Sequence, residues 1–151
     1  LFAGSGAAGI EALSRGAATV VFVERDPIAI ETIRANLERT HLAGPSASVI
    51  RTEAVTWLGT GPARAAGPYD VVMVDPPYDR PELLVASLNR LGAGGLLAPG
   101  ALVVAKHFSR DAPPERVGLL ASGRQRRFGE TALTFYRTPE ADSPGSDEED
   151  A

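Results

Sequence analysis

Residues 19–37 read TVVFVERDPIAIETIRANL, and the change of hydrophobic period within them decides the fold. Thr19 to Glu24 is a nearly unbroken run of β-branched and aromatic residues, the pattern of a buried strand. Asp26 then offers a side-chain acceptor to the first free helical N–H groups, and Pro27 is preset for a first helical turn. Ile30, Ile33 and Leu37 recur at helical spacing until Gly44-Pro45 ends the element. A buried strand that runs straight into an amphipathic helix is half of a βαβ unit, whose next strand lies parallel to the first.

The alternation continues outward in both directions. Upstream, Leu1-Phe2 reads as the stub of a strand. Gly9 to Arg15 reads as a helix, with Ile10, Leu13 and Ala17 on one face and Gly16 to stop it. Downstream, strands are expected over Ala47–Arg51, Tyr69–Val74 and Ala101–Lys106, helices over Val55–Leu58 and Pro81–Leu91, and a loop from Gly59 to Pro68. Arg124–Phe128 and Ala132–Arg137, joined at Gly129-Glu130, predict an antiparallel hairpin. The expected fold class is α/β: a doubly wound, Rossmann-like sheet, mostly parallel, with helices on both faces and an antiparallel last strand in the C-terminal hairpin.

With 151 residues, 44% of them hydrophobic, the chain is large enough for one domain with its own core. The sequence holds no cysteine, which excludes disulfides and thiolate metal sites and points to a reducing cytoplasm. No apolar stretch is long enough to span a membrane. The net charge of −4 hides an asymmetry. Residues 140–151, EADSPGSDEEDA, carry six of the 19 acids, which leaves 13 acids against all 15 bases in residues 1–139. That body is mildly basic, compatible with a nucleic-acid partner, whereas the acidic tail has the composition of a disordered segment. The expected organisation is one domain over 1–139 and a tail over 140–151. The chain starts at Leu1 inside an apparent strand, so a missing N-terminal segment is also expected.

Ligands of such sheets sit beyond the carboxyl ends of the strands. Three of those ends carry candidate chemistry. FAGSGAAG, residues 2–9, contains G-x-G-x-x-G at Gly4, Gly6 and Gly9, a pattern that turns the backbone tightly and admits a ligand to a helix N-terminus. Glu24 closes the next strand, where a carboxylate can accept the hydroxyl protons of a ribose. These two features leave NAD and S-adenosylmethionine both standing.

The third end separates them. Asp75-Pro76-Pro77-Tyr78 has no evident use in a nicotinamide enzyme, but suits one that methylates an exocyclic amine. Such a nitrogen is a poor nucleophile because its lone pair is delocalised into the ring. If the Asp75 carboxylate and the Pro76 carbonyl accept its two hydrogens, the nitrogen is drawn towards tetrahedral and its lone pair is aimed at the methyl group. Pro76 and Pro77 stiffen the loop so that both acceptors are preset, and Tyr78 supplies a face on which an extruded base can stack. Lys106-His107 at a further strand end is open to an RNA phosphate or to solvent. Arg124, Arg126 and Arg127 are open to RNA backbone or to a solvated strand face. Trp57 reads as core. No His/Asp/Glu cluster has metal-ligand spacing.

FAGSGAAGIEALSRGA, VFVERD, VVMVDPPYD and RRFGETALTFYR together resemble the bacterial small-subunit rRNA guanine-N2 methyltransferases of the RsmD type, over residues 1–137. The resemblance implies a seven-stranded class I sheet and S-adenosylmethionine as cofactor. Its methionine end would be cradled by Phe2, Ala3, Gly4, Gly6 and Gly9, its ribose held by Glu24, and its adenine bordered by Arg25 or Asp26 and by Glu53 with Ala54. Asp75, Pro76, Pro77 and Tyr78 would form the target-base pocket. The implied partner is 16S rRNA in the small subunit or an assembly intermediate, with the enzyme acting as a cytoplasmic monomer. Another amino-methylating enzyme, acting on adenine N6, or a nucleotide-binding module without methyl transfer are the alternatives.

Overall fold

A computed structural model describes residues 1–142; the acidic tail expectation falls, from residue 143 on, outside the described residues. The elements run α1 (Ala7–Ser14), β1 (Val20–Glu24), α2 (Pro27–Arg39), β2 (Ala47–Arg51), α3 (Ala54–Leu58), α4 (Gly61–Ala66), β3 (Tyr69–Val74), α5 (Pro81–Gly92), β4 (Leu97–Phe108), β5 (Arg116–Val117), β6 (Leu120–Phe128) and β7 (Thr131–Arg137).

The strands form two sheets. β1 pairs in parallel with β2, and a second sheet has the order β3-β4-β7-β6-β5, in which β3 and β4 are parallel and the rest antiparallel. Leu1-Phe2 does not form the strand expected of it. The first three residues instead run between β1 and β3 with one backbone hydrogen bond to each: Ala3 N–H donates to the Val23 carbonyl (3.0 Å) and the Leu1 amino group to that of Met73 (2.8 Å). Single bonds on each side stop short of a ladder, so β1-β2 and the five-stranded sheet remain two sheets.

β1 shows why the fold is doubly wound. Phe22 points to one face and packs with Ile33 and Leu37 of α2, while Val23 points to the other and joins the large cluster that includes Trp57, Leu84, Leu88 and Leu91. Successive strand residues face opposite ways, so a strand apolar on both faces needs a helix layer on each. α2 begins as its sequence directs: Asp26 Oδ1 accepts from Ile28 N–H at 2.9 Å, and Pro27 occupies the first turn.

Three further boundaries differ from expectation. The 59–68 loop contains α4, started by the Thr60 hydroxyl, which accepts from Ala63 N–H at 3.2 Å. β4 begins at Leu97, earlier than Ala101, because a bulge between Tyr69 and Val71 lets β3 stay paired across Pro99-Gly100. β6 begins at Leu120 and gains a two-residue partner, β5. The terminal hairpin forms as read, with Phe128 opposite Thr131 across the Gly129-Glu130 turn.

Candidate active site

The carboxyl ends of β1, β2 and β3 open onto a cavity of about 390 Å³. Ten of the residues singled out from sequence line it: Phe2, Gly4, Glu24, Arg25, Glu53, Ala54 and the run Asp75-Pro76-Pro77-Tyr78. Ala3, Gly6 and Gly9 do not. Val23, Thr52, Arg80 and Leu83 line the cavity without having been singled out. Thr52 was within reach of sequence reading, since it directly follows the end of β2. Leu83 was not, because only the packing of α5 brings its first turn to the cavity.

The three glycines have separate tasks. Gly4, at φ +56°, lines the cavity, and a Cβ there would meet nothing within 4 Å. Gly6, at φ +79°, takes the left-handed conformation at the N-cap of α1, which glycine adopts at little cost. Gly9 faces away from the cavity: a Cβ on it would fall 2.3 Å from Phe22 Cε1, so its absence lets α1 lie close on β1. The motif is thus one cavity position, one turn and one packing contact.

Glu24 organises the loop. Its Oε2 accepts from Gly4 N–H at 2.8 Å, and its Oε1 from the N–H groups of Arg25 (2.9 Å) and Asp26 (3.1 Å). A carboxylate offers about four acceptor positions, so these three leave room for roughly one more donor, not for both hydroxyls of a ribose. Arg25 Nη1 donates to Glu53 Oε1 at 2.9 Å, joining the ends of β1 and β2 across the cavity mouth. Asp26 is engaged as the cap of α2 and does not line the cavity.

Asp75 follows the last residue of β3, and the register Val74↔Ala105 sets it beside Lys106 of β4. The Lys106 ammonium lies 3.5 Å from Asp75 Oδ2 and 5.9 Å from the centre of the Tyr78 ring. Tyr78 is 37% exposed, yet one face of its ring is already covered by Phe108, and its hydroxyl meets Thr131 Oγ1 at 3.0 Å. Arg110 lies over Phe108, 4.9 Å from its centroid. His107, by contrast, is core: it is buried, with Nδ1–H directed at the Phe108 carbonyl (2.6 Å) and Nε2 at Thr134 Oγ1 (2.8 Å). Trp57 is core as read. Of the arginines, Arg124 lies over Phe135, 5.1 Å from its ring centre, and Arg124, Arg126 and Arg127 are all exposed.

Pro76, Pro77 and Tyr78 also wall a second cavity of about 280 Å³, on the far side of the loop, lined by Pro81, Val85, Lys106 and Phe108 among others. These three residues are therefore a partition between two chambers, with Asp75 on the side of the first. Among the described residues, no group of three or more His, Asp or Glu is placed to hold a metal ion, and no helix is long and apolar enough to cross a membrane.

Comparison with known proteins identifies the family and the fold. YlbH of Bacillus subtilis (strain 168) is 37% identical over 137 residues, covering 91% of this chain and 73% of that protein. Ribosomal RNA small subunit methyltransferase D of Escherichia coli (strain K12) is 33% identical over 136 residues, covering 90% of this chain and 65% of the relative. The chain thus spans about two thirds to three quarters of the length of these relatives. The solved structure of the methyltransferase yhhF from Escherichia coli superposes with a TM-score of 0.79 at 31% identity, over 93% of this chain and 74% of that one. A more distant methyltransferase, SMU.776 complexed with SAH, shares the fold at a TM-score of 0.68 and 13% identity, over 91% of this chain and 43% of that one. The family model described as "Conserved hypothetical protein 95" matches residues 1–137, and the chain belongs to that family, the RsmD-type rRNA methyltransferases.

Proposed function

We propose that this chain is an S-adenosylmethionine-dependent enzyme that methylates the exocyclic N2 amine of a guanine in small-subunit rRNA, with residues 1–139 as the catalytic unit. The observation that carries the reading is that Pro76, Pro77 and Tyr78 stand between two chambers, with Asp75 lining the first. One chamber has the residues for the cofactor and is lined by Asp75, and the other adjoins Pro76, Pro77 and Tyr78 from the substrate side. Rigid acceptors at such a boundary are what direct in-line transfer to a weakly nucleophilic amine needs.

The first chamber suits the cofactor chemically. Glu24 keeps one acceptor position for a ribose hydroxyl, Glu53 keeps one oxygen beyond its Arg25 contact for an amino group, and Phe2 and Leu83 supply apolar wall. When bound, S-adenosylmethionine supplies an electrophilic methyl group, whose bond to sulfur breaks as the bond to nitrogen forms. The Asp75 carboxylate and the Pro76 carbonyl hold the two amine hydrogens and so orient the nitrogen lone pair. The methylated nitrogen is strongly acidic and loses its proton readily, so no strong base is required of Asp75. The exposed face of Tyr78 stacks the base, while Phe108 and Thr131 fix the ring from the other side.

The test is labelled methyl transfer from S-adenosylmethionine to unmethylated small subunits, free rRNA and duplex DNA, followed by nucleoside analysis. N2-methylguanosine from the rRNA substrates is expected. N6-methyladenine, or no transfer to any of the three, overturns the reading.

A further inference from the structure

Among the described residues Lys106 makes the one salt bridge to Asp75, and the reaction as described makes no use of it. It stands on the same sheet face as Asp75, one strand over, and lines the second chamber. Its ammonium is 3.5 Å from Asp75 Oδ2 and, among the described residues, makes no hydrogen bond. A lysine offers only donors, and an ionised aspartate only acceptors. Side by side they form an edge that reads acceptor, acceptor, donor.

Guanine presents the complement on its Watson–Crick edge: N2–H and N1–H as donors, then O6 as acceptor. Adenine presents one donor group, then an acceptor, then a C–H. Cytosine presents one donor group followed by two acceptors. Only guanine meets both oxygens of the carboxylate and the neighbouring ammonium in order. We propose that Lys106 is the specificity-determining residue of this site and donates to O6 of the target guanine while Asp75 accepts from N1–H and N2–H. The inference rests on the methyl-transfer reading and adds to it a residue that chooses the base.

The experiment compares guanosine with 6-thioguanosine, which weakens the acceptor at position 6 and leaves N1–H and N2 in place, at the mapped target position of an rRNA fragment. The full chain and its Lys106→Met and Lys106→Arg variants are each assayed for kcat and KM. Binding of S-adenosylhomocysteine and the salt dependence of RNA affinity are measured in parallel. The parent is expected to lose about tenfold in kcat/KM on the thio substrate, the scale of one charge-assisted hydrogen bond. Lys106→Met is expected to be slow on both substrates and equally so, with cofactor-product binding unchanged, and Lys106→Arg to recover part of the discrimination. If Lys106→Met keeps the full thio penalty, the inference is wrong. A Lys106→Met variant whose main change is a smaller salt slope makes the residue a phosphate contact and also overturns it. Absence of guanine methylation by the parent would instead remove the functional reading itself, so the two failures are distinguishable.

Discussion

The rings of Tyr78 and Phe108 lie stacked, with centroids 4.4 Å apart and planes 23° from parallel. Because the Tyr78 hydroxyl also meets Thr131 Oγ1, the ring is fixed by a strand and a hairpin that are distant in sequence. A plate that is already immobile loses little entropy when a base settles on it. Tyr78→Phe keeps the stack and loses the hydroxyl contact, so it should raise KM for RNA by only a few-fold, about 1 kcal/mol or less. Tyr78→Ala should cost about 1–3 kcal/mol in RNA binding, the scale of base stacking. Combining Tyr78→Phe with Thr131→Val should add little to either alone. Steady-state kinetics on the three variants check this, and additive losses would contradict a shared bond.

Asp75→Ala removes an acceptor without touching the glycine loop or Glu24. Turnover should fall by roughly two to three orders of magnitude, as for the loss of one preorganised polar group. Binding of S-adenosylhomocysteine, measured by calorimetry, should change by less than a few-fold. Normal methylation by this variant would refute the proposed orientation of the amine.

Gly9→Ala tests the division of labour within the glycine motif. Its new methyl would meet the Phe22 ring well inside contact distance, so α1 must lift from β1. A loss of about 1–3 kcal/mol in unfolding free energy is expected, the usual cost of overpacking. The defect should appear in urea denaturation of the protein without any ligand, which separates a packing role from a binding one.

Tyr136 gives a pH signature. It is fully buried, its hydroxyl donates to the Pro114 carbonyl at 2.7 Å, and burial pushes its pKa up to about 12. The phenol ionises near 10 in the unfolded chain, so the folded state holds the proton more tightly. The resulting stability is fully present below pH 10 and is lost as the pH rises from there towards 12. Melting temperatures should fall across that window, and Tyr136→Phe should flatten the slope while lowering stability at neutral pH through loss of the Pro114 bond.

Local signals in the sequence were enough for most elements. The capped start of α2, the apolar run of β1 and the two-residue turn at Gly129-Glu130 each depend on neighbours in the chain, and each stands where the sequence indicated. α4 was missed because its start hangs on Thr60 and its six residues are too few for a period. The strand over Leu1-Phe2 failed for the opposite reason: the residues suit a strand, but a strand also needs partners in register on its flanks. At the site, strand ends were legible because topology places them together. What each side chain would bind there was less so. Glu24 looked free for a ribose and is largely committed to backbone N–H groups; Lys106 was open to an RNA phosphate or to solvent and stands against Asp75. Both facts depend on distances between strands that no single stretch of sequence encodes.

Because Pro76, Pro77 and Tyr78 serve both chambers at once, this protein has a party wall that neither tenant can rebuild alone. A substitution in the wall made to accept a different base will also alter the proposed seat of the methyl donor. Variation in base preference is then free to accumulate only on the far side, at positions such as Val85 and Ala112 that touch the second chamber and not the first. An engineer seeking a new target nucleotide should begin there and leave the wall alone.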